Sequence, residues 1–268
     1  MVDDVATFRA PADAYDAHIG RYGPALSAAL LDVAQIPSGA RALDVGCGPG
    51  ALTIALAGRL GASHVAAVDP SEAFVAACHA RVPRADVRTA TAEALPFADG
   101  SFDAVLSQLV VNFLADAPGA VAEMARVAAP GGVVAACVWD YAEGMTLLRA
   151  FWDAAIALDP ERAGALDEGA RMPHCSQDGL RALWEGAGLE AVETGALTVR
   201  ADYRSLADLW WPLERGVAPS GAYAASLTPE GREALRAELQ HRLGAGDAPF
   251  ELTARAWYVT GRTATTER

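Results

Sequence analysis

The run Ala42-Leu43-Asp44-Val45-Gly46-Cys47-Gly48-Pro49-Gly50 constrains the fold more than any other part of this 268-residue chain. A short strand-like stretch, 41–45, runs straight into glycines at every second position, and 51–60 then sets Leu52, Leu56 and Leu60 at helical spacing. A backbone that passes from strand to helix in so few residues needs conformations that glycine adopts without a Cβ clash. Gly61 stands where a helix stop belongs. The sequence therefore predicts strand, tight turn and helix, the opening unit of a parallel sheet that binds ligands at the carboxyl ends of its strands.

The same rhythm continues. Residues 22–36 read as an amphipathic helix ending near Pro37 and Gly39; 64–68 is a strand, Ser71 a helix cap, and 72–82 a helix stopped by Pro83. Strands follow at 86–89 and 102–107, a helix at 119–129, a turn at Pro130-Gly131-Gly132, and a strand at 133–139. Beyond Trp139 the pattern predicts helices at 146–158 and 177–186, a strand at 190–200, a mostly helical stretch over 203–243 with a long helix at 229–243, and a last strand at 252–260. The class expected is α/β: a Rossmann-like, mostly parallel seven-stranded sheet with helices on both faces and a helical cap. Residues 1–37 are expected to form an N-terminal helical segment and 38–140 the ligand-binding core. Residues 141–175 and 202–247 would be cap insertions, and 176–201 and 248–268 the C-terminal part of the core sheet.

Charge and composition narrow the partners. The net charge of −13 repels nucleic-acid phosphates and anionic lipid surfaces, so neither is expected as a partner, and the substrate is expected to be a small molecule. All 21 basic residues are arginine. Without lysine there is no Schiff base for pyridoxal phosphate and no G-K-[ST] phosphate loop. Cys47, Cys78, Cys137 and Cys175 are widely spaced, with no C-x-x-C pair and no histidine at a zinc-ligand interval, so no metal is expected and a reducing compartment is. The opening MVDDVATFRA lacks an apolar core of signal-peptide length, and no apolar run approaches the roughly 20 residues that span a bilayer, which predicts a cytoplasmic protein.

The glycine turn is followed by Asp69 at the end of the next strand, where a carboxylate can accept hydrogen bonds from both hydroxyls of a ribose. An adenosine-type ligand follows. Gly46, Gly48 and Ala51 also satisfy the dinucleotide form G-x-G-x-x-[GA], so an NAD(P)-dependent oxidoreductase is the alternative. Against it, Asp44 lies two residues before the first glycine, where it would oppose a pyrophosphate but suit a cationic sulfonium and ammonium group.

The segments ALDVGCGPGALT (42–53), VAAVDPSEAFVAAC (65–78), TAEALPFADGSFDAVLSQ (91–108) and EMARVAAPGGVV (123–134) resemble, in order and spacing, the class I S-adenosylmethionine-dependent methyltransferases of the ubiquinone/menaquinone-biosynthesis type. The resemblance implies S-adenosylmethionine as cofactor and S-adenosylhomocysteine as product. It implies that Asp44, Gly46, Cys47, Gly48 and Gly50 surround the methionine moiety and that Asp69 holds the ribose. Pro70 would lie beside the adenine, Ala92 and Glu93 at its edge, and Gln108 would close the site from the fourth strand. Thr91 stands where the family often has aspartate, which shifts the adenine amino contact to Ala92 or Glu93. Tyr15, Arg21 and Tyr22 occupy a stretch that in such enzymes folds over the cofactor.

Methyl transfer from a sulfonium asks chiefly for alignment and exclusion of water, with a base where the acceptor must lose a proton. His174 is the first candidate base and His18 the second; His64, His79 and His241 are expected to face solvent. Trp139, Tyr141, Trp152, Trp210 and Trp211, with Phe151 and Tyr223, are candidates for an aromatic-lined substrate pocket or for cap core. A third reading is a protein of this fold that binds the cofactor without transferring its methyl group.

Overall fold

The computed structural model describes residues 12–265, so the acidic opening stretch lies outside the described residues. The chain divides into two compact units. A helical unit comprises the chain up to Tyr22, Asp140–Met172 and Thr198–Arg255; a core unit comprises Gly23–Trp139, Pro173–Leu197 and the chain from Ala256.

The helical unit opens with α1 (Ala12–Ala17) and a 3-10 turn (Ile19–Tyr22). The core unit then follows the predicted alternation: α2 (Gly23–Ala34), β1 (Ala42–Val45), α3 (Ala51–Leu60), β2 (Val65–Asp69), α4 (Glu72–Arg81), β3 (Asp86–Thr89), β4 (Phe102–Gln108), α5 (Ala117–Val127) and β5 (Ala128–Trp139). The seven strands run in the order β3-β2-β1-β4-β5-β7-β6, where β6 is Glu190–Tyr203 and β7 is Phe250–Arg262. Strands β3, β2, β1, β4 and β5 are parallel, and β7 pairs antiparallel with β5. Every residue of β1 and β2 is buried, as central strands of a sheet covered on both faces require, whereas β3, at the edge, is mostly exposed.

The local signals act as expected. Gly61, with φ 86°, ends α3 by donating its N–H to Ala57 O. The Ser71 hydroxyl accepts from Phe74 N at the start of α4, and Asp116 caps α5 through Gly119 N. One expectation fails: Pro130-Gly131-Gly132 is not a turn before the strand but part of β5. Phe102 pairs with Ala128, the register then shifts, and Ala104 pairs with Val133, so the three residues form an irregularity in a strand that begins five residues early. Trp184, on α9 (Gln177–Gly186), anchors this region by donating its indole N–H to Val134 O at 2.9 Å.

In the helical unit, α6 (Thr146–Leu158), α10 (Leu206–Glu214), α11 (Ala218–Ala225) and α12 (Pro229–Leu243) fill the stretches read as helical. Two short helices, α7 (Pro160–Leu166) and α8 (Glu168–Arg171), were not foreseen; Asp159 and Asp167 cap them. Strands β6 and β7 are each longer than the predicted 190–200 and 252–260.

Candidate active site

Register places three strand ends at one edge of the core unit. Val45 of β1 lies beside Val68 of β2, and Asp44 beside Leu106 of β4, so the glycine turn, Asp69 and Gln108 all leave the sheet on its carboxyl side. The turn is fixed by backbone pairing: Gly46 and Cys47 both donate to Val68 O, at 2.8 and 2.9 Å, and Gly50 donates to Cys47 O. Arg81 reaches from α4 to Pro49 O at 3.0 Å, and the Ser107 hydroxyl donates to Val45 O.

Two glycines of the turn answer to different demands. At Gly46, φ is 77° and a Cβ would stand 2.4 Å from Val110 Cγ2, so both backbone angle and packing require glycine. At Gly48, φ is 52° but a Cβ would meet no atom of the described residues within 4 Å, so that point of the turn is open among them.

The two acids are held differently. Asp69 accepts from Gly48 N through Oδ2 and from Ser71 N through Oδ1, both at 2.9 Å. Burial raises its carboxyl above the usual range while these two N–H groups pull it back. Each oxygen keeps a further lone pair, enough to accept from two vicinal hydroxyls. Asp44 is fully buried; its Oδ2 accepts from the Thr53 hydroxyl at 2.6 Å, while Oδ1 has no hydrogen-bond partner among the described residues. Burial pushes Asp44 up to about 8, against the Thr53 hydrogen bond and with help from Cys78 and Asp69. An orphaned, buried carboxyl oxygen is costly, and a nearby cation restores its ionised form. A ribose-competent acid on one side of the turn and an orphaned acid on the other fit an adenosyl sulfonium better than a pyrophosphate.

The other predicted cofactor residues of this unit lie on the same edge or the loops that leave it. Pro70 is exposed just beyond β2, and Ala92 (buried) and Glu93 (half-buried) follow β3. Gln108 ends β4, its Oε1 accepting from Ser27 of α2 at 2.9 Å. Leu109 follows with φ 63°, a left-handed conformation that costs a residue with a Cβ about 1–2 kcal/mol. Trp139 is buried at the end of β5. His174 is half-buried, in a left-handed conformation (φ 61°), and burial lowers its pKa.

The remaining candidates belong to the helical unit. Arg21 donates to Ala17 O, Asp202 O and Asp208 Oδ2, and its guanidinium lies 4.5 Å above the Tyr203 ring. Tyr22 shares a 3.1 Å hydrogen bond with Tyr203, and Tyr15 sits half-buried on α1. His18 is buried and pushed down to about 4, first by burial and then by Arg21; its Nε2 lies 3.5 Å from Ser220 Oγ. Tyr141, Trp152 and Trp210 are buried, and Trp211 is half-buried beneath Arg215. The Trp152 indole donates to Glu168 at 2.9 Å, and burial raises that carboxyl to about 7.

Sequence reasoning missed Thr53, Ser107, Cys78, Arg81 and Ser27, which hold the site residues in place. Thr53 closes the motif ALDVGCGPGALT, and a hydroxyl one turn into the helix was the available signal. No local pattern marks the other four.

Comparison with known proteins agrees with this geometry. The family model described as a methyltransferase domain matches residues 43–136. A ubiquinone biosynthesis O-methyltransferase of Rhizobium rhizogenes is 43% identical over 100 residues, covering 36% of this chain and 40% of that protein. A malonyl-[acyl-carrier protein] O-methyltransferase of Erwinia billingiae is 36% identical over 105 residues, covering 39% and 41%. The matches thus span about two-fifths of the curated relatives' length. Among solved structures, the YcgJ protein of Bacillus subtilis superposes with a TM-score of 0.57 at 18% identity, covering 89% of this chain and 97% of that one, a likeness of fold. Residues 43–136 thus match the family model of a methyltransferase domain, and the chain around them shares its fold with solved structures of low identity.

Proposed function

We propose that the protein transfers a methyl group from S-adenosylmethionine to a small, apolar or aromatic organic acceptor. The observation that carries the reading is the pair of acids flanking the glycine turn: Asp69 tethered by Gly48 and Ser71, and Asp44 buried with one oxygen unpartnered among the described residues. When bound, S-adenosylmethionine supplies an electrophilic methyl group on a cationic sulfur and leaves as S-adenosylhomocysteine.

The chain's own residues bind and orient. Asp69 would hold the ribose hydroxyls, and Asp44 with Gly46–Gly50 the cationic methionine end. Pro70, Ala92 and Glu93 would flank the adenine. Gln108, its carbonyl taken by Ser27, would offer its amide nitrogen as a donor. Tyr15, Arg21 and Tyr22 are assigned to cofactor binding on the family resemblance.

For an acceptor that must lose a proton, His174 is the first candidate base and His18 the second. Burial lowers the pKa of both, which favours the neutral, proton-accepting imidazole and at the same time weakens each as a base, His18 at about 4 more than His174. Acceptor recognition falls to Trp139, Tyr141, Trp152, Trp210 and Trp211, and the burial of four of these makes Trp211 the first to vary.

The test is incubation of the full chain with methyl-labelled S-adenosylmethionine and a low-molecular-mass metabolite extract. Labelled small molecules appearing together with S-adenosylhomocysteine are expected. Bound, unconsumed S-adenosylmethionine with every extract fraction would favour a binding protein and overturn the catalytic reading.

A further inference from the structure

The space behind the glycine turn holds two thiols that methyl transfer does not use. Cys47 lies within the turn and Cys78 on α4; both are buried and pack in one small cluster with Ala67 and Val87, and the Cys47 sulfhydryl donates to Gly48 O at 3.6 Å. Cys78 Sγ is also 3.4 Å from Thr53 Oγ1, the hydroxyl that holds Asp44, and a Cβ on Gly50 would stand 3.0 Å from that sulfur. One sulfur is thus part of the turn, and the other touches the residue that positions the buried acid.

We propose that Cys47 and Cys78 form a redox-active dithiol, converted by hydroperoxides into an intramolecular disulfide that lowers cofactor affinity. The chemistry suits the pair. The Cys47 sulfhydryl beside it, then the Thr53 hydroxyl, lower the Cys78 thiol to about 7, while the same pairing and burial push Cys47 up. In the proposed sequence Cys78 is the attacking thiolate and Cys47 the resolving thiol. The other two cysteines lack this arrangement: Cys137 is buried within β5 with its thiol pushed up by burial, and the Cys175 sulfhydryl points to Pro173 O.

The steps balance. The Cys78 thiolate attacks one peroxide oxygen and the O–O bond breaks, giving Cys78 sulfenic acid and a hydroxide that takes up the proton Cys78 had released. The Cys47 sulfur then attacks the sulfenic sulfur, the S–O bond breaks, and the departing hydroxide leaves as water with the Cys47 proton. Two thiols and one hydrogen peroxide yield one disulfide and two waters.

Closing the bond brings the sulfurs to about 2 Å, well inside a thiol–thiol contact. Cys47 is flanked by Gly46, packed on Val110, and Gly48, whose N–H holds Asp69 at 2.9 Å. The contraction displaces this segment, strains the Gly48 N–H bond to Asp69, and removes the Cys78 S–H hydrogen bond to Thr53. A ligand that needs both acids in place binds the dithiol form better, and by reciprocity it protects the thiols from oxidation.

The experiment treats the reduced full chain with stoichiometric hydrogen peroxide, blocks free thiols with N-ethylmaleimide, and maps peptides by mass spectrometry. A Cys47–Cys78 crosslink lacking two hydrogens and reversed by dithiothreitol is expected, in the parent and in Cys175→Ser, and not in Cys78→Ser. S-adenosylhomocysteine should slow its formation, and the oxidised chain should bind S-adenosylmethionine about tenfold more weakly or worse. Alkylation of both cysteines after peroxide, over-oxidation without a crosslink, or a crosslink to Cys137 or Cys175 overturns the proposal, as does a crosslink that leaves affinity unchanged. The affinity arm rests on the function proposed above, and the crosslink does not. A crosslink in a chain whose reduced form binds no S-adenosylmethionine therefore overturns that function and the affinity effect, while the dithiol stands.

Discussion

Asp44 holds its proton to about pH 8 because its carboxyl is buried, and Thr53 stabilises the anion through only one oxygen. Between about pH 4 and pH 8 the folded chain keeps a proton that the unfolded chain releases, so this group's contribution to stability falls as pH rises through that window. A cation needs the ionised form. Affinity for S-adenosylmethionine should therefore rise from pH 6 to pH 8, by up to about tenfold per unit, with release of a proton. Cys78 and Asp69 also face Asp44 and raise its pKa, so Asp44→Asn is the variant that isolates it. Calorimetry in buffers of different ionisation enthalpy should find the slope and the proton release gone in Asp44→Asn, with weaker binding throughout. Asp69→Ala removes the acceptor held by Gly48 and Ser71 and should cost at least about tenfold in affinity, measured by the same titration. His18 has the opposite linkage to Asp44. Its pKa is lowered from 6.5 to about 4, so the unfolded chain binds the proton first and stability is lost as pH falls through that range. Denaturant unfolding should lose up to about 3 kcal/mol from this source between pH 7 and pH 4, and His18→Phe should flatten that slope. At this scale, Asp44, Asp69 and the glycines were legible because their chemistry is written in adjacent residues. Thr53 and Cys78 were not, because their roles come from packing α3 and α4 against the turn.

The turn between β1 and α3 is the element on which the site is built. Gly46→Ala places a methyl group 2.4 Å from Val110 Cγ2 on a residue already at φ 77°, so it should destabilise the fold by at least about 2 kcal/mol. Thermal unfolding checks this, and Val110→Ala should recover only part of the loss, because the backbone angle remains. Most elements could be read from hydrophobic period and caps: α3, α6, α9 and α12 begin and end where predicted, as does β3. The stretch 130–132 was misread because proline and two glycines signal a turn locally, whereas pairing with β4 and β7 holds them within β5 as an irregularity. Helices α7 and α8 span only seven and four residues, too short for an apolar period to emerge.

At the scale of the chain, the methyltransferase match over 43–136 points to one cofactor class. Among the described residues no cluster of histidine, cysteine and acidic side chains could hold a metal, and no helix is long and apolar enough to cross a membrane. The helical unit carries most of the aromatic candidates but lies outside the matched segment, which is why acceptor identity was less legible than cofactor class. Two acids around a glycine turn would select a cationic adenosyl ligand over an anionic dinucleotide. Isothermal titration of the full chain with S-adenosylmethionine and, separately, with NADH tests it most directly. Saturable binding of S-adenosylmethionine in the micromolar range and none of NADH is expected; binding of NADH without S-adenosylmethionine would rule this selection out.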